Sequence, residues 1–421
     1  MRVLYSALLY LITPLVLLRL LWRGLAQREY WRRWGERFGH VPRVEGGVAA
    51  WVHAVSVGES LAALPLIRAL VTRHGEGRVL VTTTTPTGSA RIREVLGDQV
   101  LHTYAPYDLP HVVARFVSRM QPRQVIVMET ELWPNLFRAL AARRVPLVIA
   151  NARLSPRSYK GYGRVRGFFA ATLADCSAVA AQSEADAQRF IDLGAPRERV
   201  SIMGNIKFDL TVPEDQRNRG VGLREQLGAG RHVWIAASTH EDEEHAALES
   251  HREVLSANPE SVLILVPRHP QRFELVARLV ERSGISWARR SAGNLDRKRY
   301  SVLLGDSMGE MYMYLAAAEV AFIGGSFVPV GGHNVLEPAA LGVPVLFGPH
   351  MHNFLGAREL LLQAQAAREV TTRTLAETVV TLFRDAAARQ AMGAAGQRAV
   401  EANRGALVRL LKLVRELPAS A

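Results

Sequence analysis

A glutamate that follows the first apolar run of the chain has the position of a general base. The run at 49–55 leads into the segment Ser-Val-Gly-Glu-Ser at 56–60, which predicts a turn from a strand into a helix. A carboxylate at the amino-terminal end of such a helix can take a proton from an attacking hydroxyl. The helix dipole lowers the pKa of this carboxyl, whereas burial raises it. Glu59 is therefore a candidate base, and the alternative is a glutamate that only stabilises the helix start.

A second pair of carboxylates follows another buried strand. Glu129 and Glu131 come directly after the apolar run at 124–128. Carboxylates at the end of an apolar run usually have a partner or a chemical role, because an isolated buried charge is costly. Pro134 explains the start of the next helix but not the two glutamates. We expect these carboxylates to belong to the same site as the first.

Polar and basic residues follow the next strand of the first half. Asn151 and Arg153 come after the run at 147–150, and further arginines and a lysine lie close behind them. Such a basic rim suits a phosphorylated ligand. A solvated charged face explains the outer arginines equally well. The first half of the chain therefore predicts an edge with both acidic and basic groups.

In the second half, hydroxyl and basic groups follow successive strands. Ser238 ends one apolar run, and Arg268 with His269 follows the next. A small hydroxyl turn and an arginine at one edge of a sheet bind a phosphate or a carboxylate. Three further candidates for this site are Lys207, Met308 and Gly309.

The most unusual stretch is Phe-Ile-Gly-Gly-Ser-Phe-Val-Pro-Val-Gly-Gly-His-Asn-Val-Leu-Glu-Pro at 322–338. It predicts a buried strand, a glycine-rich loop and a helix that begins near Asn334. Such a loop can present backbone N–H groups to a phosphate, and glycines such as Gly331 and Gly332 allow close approach. Glu337 falls in the first turn of the helix, where it can accept hydrogen bonds from ribose hydroxyls. The pattern favours a nucleotide-binding loop over a plain turn with a helix cap.

Histidine and cysteine spacing predicts neither a metal site nor a disulfide. No histidine pair has the spacing of a zinc site on a helix, and the segment 240–245 lacks the His-Glu-x-x-His pattern. The single cysteine, Cys176, excludes a disulfide within the chain and fits a reducing compartment. We therefore expect no metal and no cofactor.

Short apolar runs that alternate with helical stretches predict an α/β protein with parallel sheets. The polar stretch 205–231 predicts a linker between a first domain at 23–204 and a second at 232–421, whose last helices can pack back on the first domain. Two doubly wound domains bind ligands at the carboxyl ends of their strands. The candidate residues fall at such ends.

Residues 1–22 predict a membrane anchor. The stretch from Val3 to Leu18 carries no charge, and it reaches the roughly 20 residues that cross a bilayer if Arg19 extends its charge to the interface. The arginines that follow, almost without acids, predict that the rest of the chain lies in the cytoplasm. The helix either spans the membrane or lies in its interface, and a buried core helix is the alternative.

Net charge indicates an anionic partner. Lys and Arg exceed Asp and Glu by 52 − 39 = 13. Nucleic acid, an acidic membrane surface and a phosphorylated substrate are the partners that such a charge attracts. The chain has no basic run interleaved with stacking aromatics, so we expect no nucleic acid.

Taken together, these motifs resemble the transferases of 3-deoxy-D-manno-octulosonic acid (Kdo) in lipopolysaccharide synthesis, inverting enzymes that move Kdo from CMP-Kdo to a lipid A precursor. The resemblance covers almost the whole chain, from the anchor to the loop at 322–338. The other motifs are Ser-Val-Gly-Glu-Ser at 56–60, Glu-Thr-Glu-Leu-Trp-Pro at 129–134, Asn-Ala-Arg-Leu-Ser at 151–155, Gly-Asn-Ile-Lys at 204–207, Pro-Arg-His-Pro at 267–270 and Gly-Asp-Ser-Met-Gly-Glu at 305–310.

The resemblance implies a GT-B architecture of two Rossmann-like domains that face a cleft, with the acceptor bound mainly by the first and CMP-Kdo by the second. It implies that Glu59 is the general base and that Glu129 and Glu131 help to assemble the acceptor side. It also implies a bacterial inner membrane location with the catalytic domains in the cytoplasm. The implied contacts to the cytidylate are Arg268, His269, Met308, Gly309, Asn334 and Glu337, with Ser238 and Lys207 as lesser candidates.

Two other readings remain open at the level of the sequence. A sugar-nucleotide epimerase or UDP-sugar transferase with the same architecture would bind uridine nucleotides better than CMP. A membrane-associated binding protein would bind a nucleotide without turnover.

Overall fold

The computed structural model describes residues 1–228, 230–293 and 300–417, and it divides the chain into two compact units. Unit 1 comprises Met1–Asp209 with Arg404–Ala421, and unit 2 comprises Leu210–Asn403. Within the described residues, each unit contains one seven-stranded parallel sheet.

The sheet of unit 1 has the order β3-β2-β1-β4-β5-β6-β7. Its order reverses between β1 and β4, and this switch point is where doubly wound sheets bind ligands. The strands are β1 (Ala50–His53), β2 (Val79–Thr83), β3 (Leu101–Tyr104), β4 (Val125–Met128), β5 (Leu147–Ala152), β6 (Ala178–Ala181) and β7 (Val200–Ile202).

Helices cover both faces of this sheet. Successive strand residues point to opposite faces, so Trp51 packs in one hydrophobic cluster with Phe116 while Val52 packs in the other with Leu66. The helices are α1 (Arg2–Ala26), α2 (Trp34–Arg37), α3 (Val57–His74), α4 (Pro86–Leu96), α5 (Pro110–Met120), α6 (Pro134–Ala142), α7 (Pro156–Gly163), α8 (Arg166–Leu173) and α9 (Glu184–Leu193).

The sheet of unit 2 has the order β10-β11-β9-β8-β12-β13-β14, with its switch point between β8 and β12. Its strands are β8 (Val233–Thr239), β9 (Val262–Pro267), β10 (Trp287–Arg289), β11 (Val302–Leu304), β12 (Val320–Ile323), β13 (Val345–Phe347) and β14 (Ala367–Glu369). Its helices are α10 (Glu214–Leu227), α11 (Glu243–Ala257), α12 (Phe273–Arg282), α13 (Met311–Ala317), α14 (Leu336–Ala340), α15 (Leu355–Gln363), α16 (Leu375–Arg384) and α17 (Ala386–Ala402). The last helix, α18 (Ala406–Glu416), belongs to unit 1.

The two sheets confirm the predicted α/β class with two Rossmann-like domains. The predicted linker at 205–231 differs from the structure, because α10 occupies about half of it and the chain passes from one unit to the other at 209–210 and 403–404. Gly220 does not break this helix. A Cβ at that position would lie 2.4 Å from Ala316 Cβ, so the glycine permits close packing of α10 on α13. The polar residues at 213–219 form the exposed start of this helix rather than a loop.

Helix α1 lies on unit 1 through polar contacts. Tyr5 Oη donates to Asp108 Oδ2 at 3.0 Å, and Ser6 Oγ donates to Asn135 Oδ1 at 3.1 Å. Its opposite face exposes large apolar side chains, and by length and composition the helix is able to cross a membrane. The exposed members of that face include Val3, Leu4, Leu8, Leu11, Leu15, Leu18 and Trp22.

Candidate active site

Glu59 closes a capping box at the start of α3. Ser56 Oγ accepts a hydrogen bond from Glu59 N at 3.2 Å and donates one to Glu59 Oε1 at 2.9 Å. The other carboxylate oxygen accepts from Val55 N at 2.8 Å. Each oxygen keeps a further lone pair, so the carboxylate is held in one orientation and can still accept a proton.

The pKa of Glu59 is raised from 4.5 to about 7. Burial is the largest cause, and the negative charges of Glu129 and Glu131 raise the pKa further. Hydrogen bonds from Val55 and Ser56 oppose this rise. A carboxyl with a pKa near neutrality is suited to proton transfer at physiological pH.

Glu129 and Glu131 lie at the carboxyl end of β4, directly beside β1. Glu129 has a left-handed backbone conformation, with φ of 57°, and its Oε1 lies 3.5 Å from Lys207 Nζ. Glu131 Oε2 accepts a hydrogen bond from Trp133 Nε1 at 2.8 Å, and burial raises the pKa of the Glu131 carboxyl. The predicted carboxylates of unit 1 therefore share one edge of the sheet.

Asn151 and Arg153 have different surroundings at the end of β5. The Asn151 side chain is buried, and its Oδ1 accepts from Ile206 N at 3.1 Å. It therefore holds the turn that carries Lys207, instead of facing an open edge. The Arg153 side chain is half-buried, and its backbone oxygen accepts a hydrogen bond from the Thr130 hydroxyl. Lys207, which the sequence grouped with the CMP-sugar site, belongs to unit 1 and pairs with Glu129.

In unit 2, basic and imidazole groups gather at the ends of β8, β9 and β12. His240 and His333 are hydrogen-bonded through their Nε2 atoms at 2.7 Å, and the ring of His269 lies 5.4 Å from that of His240. Burial and the charge of Arg268 lower the pKa of His333 to about 3. The side chains of Arg268 and His269 are exposed at this edge, and Ser238 is half-buried with φ of 57°. Burial and neighbouring arginine charges lower the pKa of all three imidazoles, and Arg268 carries a positive charge beside them.

Asn334 and Glu337 form a pair at the start of α14. Asn334 Nδ2 donates to Glu337 Oε1 at 3.1 Å, and Asn334 Oδ1 accepts from Leu336 N at 3.1 Å. Burial raises the pKa of Glu337, against the hydrogen bond from Asn334 and the charge of Arg268. Met308 is 61% exposed, and a Cβ added at Gly309 would meet no atom within 4 Å. The segment at 308–309 therefore leaves open space for a ligand.

The glycine-rich loop does not present its N–H groups as the sequence predicted. The N–H groups of Gly331 and Gly332 both donate to Gly325 O, at 3.1 and 2.7 Å. Both glycines have positive φ and pack closely on the segment 351–353, where a Cβ would overlap neighbouring side chains. The N–H groups of residues 325–327 donate to the carboxylate of Glu243. These glycines serve close packing of the loop, and their N–H groups are already bonded within the protein.

Sequence reasoning missed three residues of this arrangement. Glu243, His240 and His333 lack any local pattern that marks them as a unit, since 93 positions separate the two histidines. A signal was present at Glu243, because an acidic residue in the first turn of a helix after a strand is the pattern that singled out Glu59. Among the described residues, no group of three or more His, Cys, Asp or Glu side chains is arranged to hold a metal ion.

Comparison with known proteins places these motifs in a family. A family model described as 3-Deoxy-D-manno-octulosonic-acid transferase (kdotransferase) matches residues 32–210. The chain is 41% identical to the 3-deoxy-D-manno-octulosonic acid transferase of Haemophilus influenzae, over 98% of each chain. It is 38% identical to the protein of the same name from Bordetella pertussis, over 97% of this chain and 98% of that one.

Solved structures show a similar fold at low identity. The UDP-GlcNAc 2-epimerase of Neisseria meningitidis, bound to UDP-GlcNAc, matches with a TM-score of 0.59 and 13% identity over 88% of this chain and 100% of that chain. A putative UDP-N-acetylglucosamine 2-epimerase of Listeria monocytogenes matches with a TM-score of 0.55 and 15% identity, over 89% of this chain and 99% of that chain. These likenesses concern the fold alone.

Proposed function

This chain belongs to the 3-deoxy-D-manno-octulosonic acid (Kdo) transferase family, and from that premise we propose that it moves Kdo from CMP-Kdo to a lipid A precursor, lipid IVA, with inversion at the anomeric carbon. Membership follows from 41% identity over nearly the full length of both chains. The reaction belongs to lipopolysaccharide synthesis.

The observation that carries the proposed mechanism is the Glu59 carboxylate at the switch point of unit 1, held by Val55 N and Ser56 Oγ, with burial raising its pKa to about 7. In the ionised form, Glu59 accepts the proton of the acceptor hydroxyl as that oxygen attacks the anomeric carbon of Kdo. The bond to the phosphate breaks on the opposite side of the sugar, which gives inversion. Burial, together with the charges of Glu129 and Glu131, keeps the pKa high and thus makes Glu59 a stronger base than an ordinary carboxylate.

On the donor side, Arg268 stabilises the phosphate of the departing CMP. Its charge acts on His333, His240 and Glu337, which indicates that its guanidinium lies centrally at this edge. A guanidinium supplies two parallel N–H groups to a phosphate and remains charged throughout the reaction. Met308 and Gly309 border the cytosine, and Glu337 accepts hydrogen bonds from the ribose. We propose that this charge stabilisation needs no metal.

The acceptor is a phosphorylated lipid, and helix α1 brings the enzyme to it. Tyr5 and Ser6 fix α1 to unit 1, while Leu11 and Leu15 belong to its exposed apolar face. This face enters the cytoplasmic leaflet of the bacterial inner membrane, and the basic residues near Arg153 meet the phosphates of the lipid. Replacement of both leucines by glutamine, which leaves the contacts of Tyr5 and Ser6 in place, should move the protein from membrane to soluble fractions.

Mass spectrometry of the lipid product tests the reaction. The full-length protein in detergent is incubated with a tetra-acylated, bis-phosphorylated lipid A precursor and freshly generated CMP-Kdo. We expect a mass gain of one or more Kdo residues, and the spectrum also counts them. A parallel reaction with UDP-GlcNAc should leave the lipid unchanged. Transfer from UDP-GlcNAc, or no gain from CMP-Kdo with folded protein, would contradict the proposal.

A further inference from the structure

One carboxylate at the switch point of unit 2 has no place in the proposed chemistry. Glu243 is the first residue of α11, and only 1% of its surface is exposed. It is separated by more than 80 positions from the loop that follows β12. A buried carboxylate needs several hydrogen bonds to offset the loss of solvation. The surroundings of Glu243 supply them entirely from the backbone.

Four N–H groups donate to the Glu243 carboxylate. Oε1 accepts from Ser326 N at 2.9 Å and from Phe327 N at 2.8 Å. Oε2 accepts from Gly325 N at 2.6 Å and from His240 N at 2.9 Å. Three consecutive N–H groups that converge on one anion form the type of concavity that often binds phosphate. Here the protein supplies the anion itself.

The neighbouring glycine is explained by the same contact. A Cβ at Gly324 would lie 2.6 Å from Ser238 O and 2.8 Å from Glu243 Oε2. Any side chain at this position would therefore separate the loop from the turn after β8. Gly324 thus allows the two segments to meet around the carboxylate.

The position of this loop determines where the donor-site residues lie. Gly325, held through its N–H by Glu243, accepts the N–H groups of Gly331 and Gly332 through its oxygen. His333 follows directly and pairs with His240, whose own N–H also donates to Glu243. One carboxylate therefore fixes both members of the histidine pair.

We propose that Glu243 is a positioning residue of the donor site: its buried carboxylate holds the glycine-rich loop against the turn after β8 and thereby places His333, Asn334 and Glu337 for nucleotide binding. The identity of the nucleotide rests on the proposed function, whereas the contact between Glu243 and the loop is independent of it.

The variant Glu243→Gln tests the contact with little change in size. Glutamine has one acceptor oxygen, so two of the four N–H groups would face an amide nitrogen. In hydrogen–deuterium exchange of the ligand-free protein, amides at 325–327 should exchange about tenfold faster or more. The dissociation constant for CMP and the KM for CMP-Kdo should rise by about tenfold or more, while the KM for the lipid stays within about twofold.

Glu244→Gln is the matched control. Glu244 is the next residue and equally buried, but its carboxylate binds the side chain of Arg272 at 3.1 Å and not the loop. This variant reports any general disturbance at the start of α11. It should leave exchange at 325–327 and the affinity for CMP unchanged.

Chemical rescue provides a second, independent test. In Glu243→Ala, sodium formate can supply the missing carboxylate to the four N–H groups, whereas sodium chloride at equal ionic strength cannot. We expect formate to slow the exchange of residues 325–327 and to restore most of the CMP affinity. If Glu243→Ala does not fold, the comparison of Glu243→Gln with its control decides alone.

Two results would overturn the inference. Exchange at 325–327 in Glu243→Gln equal to that in the wild type would exclude the holding role. Faster exchange with unchanged CMP affinity and donor KM would exclude the positioning role. If the wild type itself bound no CMP, the proposed donor would be wrong, and the exchange experiment would still decide whether Glu243 holds the loop.

Discussion

Glu59 and Glu131 of unit 1 differ from Asp306 and Glu310 of unit 2 in what surrounds their carboxyl groups. In unit 1, burial raises the pKa of Glu59 to about 7 and raises that of Glu131. In unit 2, Asp306 and Glu310 have lowered pKa values, because hydrogen bonds and arginine charges outweigh burial. The carboxyl of Glu59 can exchange protons near neutral pH. Asp306 and Glu310 remain ionised and hold structure together, whereas burial raises the pKa of Glu337 in the same unit.

Glu310 shows how a carboxyl group acquires a lowered pKa. Burial opposes ionisation, but hydrogen bonds from Arg290 and Ser307 and the charge of Arg219 lower the pKa to about 2. Glu59, by contrast, is affected by the negative charges of Glu129 and Glu131, which raise its pKa. The same residue type therefore serves catalysis or structure according to the sign of the neighbouring charges.

The largest effect that this contrast predicts is on catalysis. Glu59→Gln removes the proton acceptor but keeps an oxygen that can accept the hydrogen bond from Val55 or Ser56. We expect kcat to fall by about 10²–10⁴-fold, with the melting temperature and CMP affinity nearly unchanged. Glu184→Gln, at an exposed first-turn glutamate of α9, is the control and should retain full activity. Turnover of Glu59→Gln near the wild-type rate would show that the glutamate only caps α3.

A smaller loss is expected in donor binding. Arg268→Gln removes the charge at the donor edge of unit 2 and should weaken CMP binding by about 10–100-fold, since a hydrogen bond to a charged group contributes about 1.5–3 kcal/mol. Isothermal titration calorimetry measures the effect. Arg278→Gln, on an exposed position of α12, should bind CMP as the wild type does. Equal affinity in Arg268→Gln would place the phosphate elsewhere.

Loss of a carboxylate with a lowered pKa should reduce the stability of the fold. Glu310→Gln should lower the free energy of unfolding at pH 7 by on the order of 2 kcal/mol, because the depressed pKa of Glu310 reports favourable contacts of its charged form. Only 14% of this side chain is exposed, which limits screening by solvent. Because the pKa of Glu310 is lower in the folded protein than its ordinary value of 4.5, the ionised carboxylate stabilises the fold at pH values above 4.5. This contribution is lost as the pH falls from 4.5 towards about 2.

Urea unfolding at pH 7 and pH 3 measures this difference. The gap between the wild type and Glu310→Gln should narrow at pH 3, where part of the contribution of Glu310 is already lost. Glu281→Gln, an exposed change on α12, should have little effect at either pH. A gap that is equal at both pH values would contradict the role of the ionised carboxylate.

The smallest predicted effect is a shift of the pH profile. Glu129→Gln removes a negative charge beside Glu59 and leaves Lys207 without that partner, so the pKa of Glu59 should fall. Since the base acts when ionised, kcat/KM decreases as pH drops through this pKa. The acid limb should therefore move to lower pH by about 0.5–1 unit.

A profile of kcat/KM between pH 5.5 and 9 tests the direction. Glu131→Gln should shift the acid limb in the same direction by less, because its charge contributes less to the pKa of Glu59. A shift to higher pH in either variant would contradict the assigned electrostatics.

Local sequence patterns predicted many of the elements well. The helix that begins at Pro134 starts where the sequence predicted it, and β1 and β4 fall within the apolar runs at 49–55 and 124–128. The edge strand β3 was missed, because its polar and partly exposed residues lack a continuous apolar run. Helix α10 was missed because its short apolar stripe, with Leu223 and Leu227, is recognisable only once it packs against α13.

The sequence by itself determined that Glu59, Glu129, Arg268 and the glycine-rich loop lie at the carboxyl ends of parallel strands, since this follows from short apolar runs and the residues next to them. Only the tertiary structure decided what those groups face. Glu243 accepts hydrogen bonds from the loop N–H groups, and Glu129 pairs with Lys207 while its charge raises the pKa of Glu59, although these segments lie far apart in the chain. Proton affinity and hydrogen-bond capacity depend on these neighbours, and local spacing does not encode them.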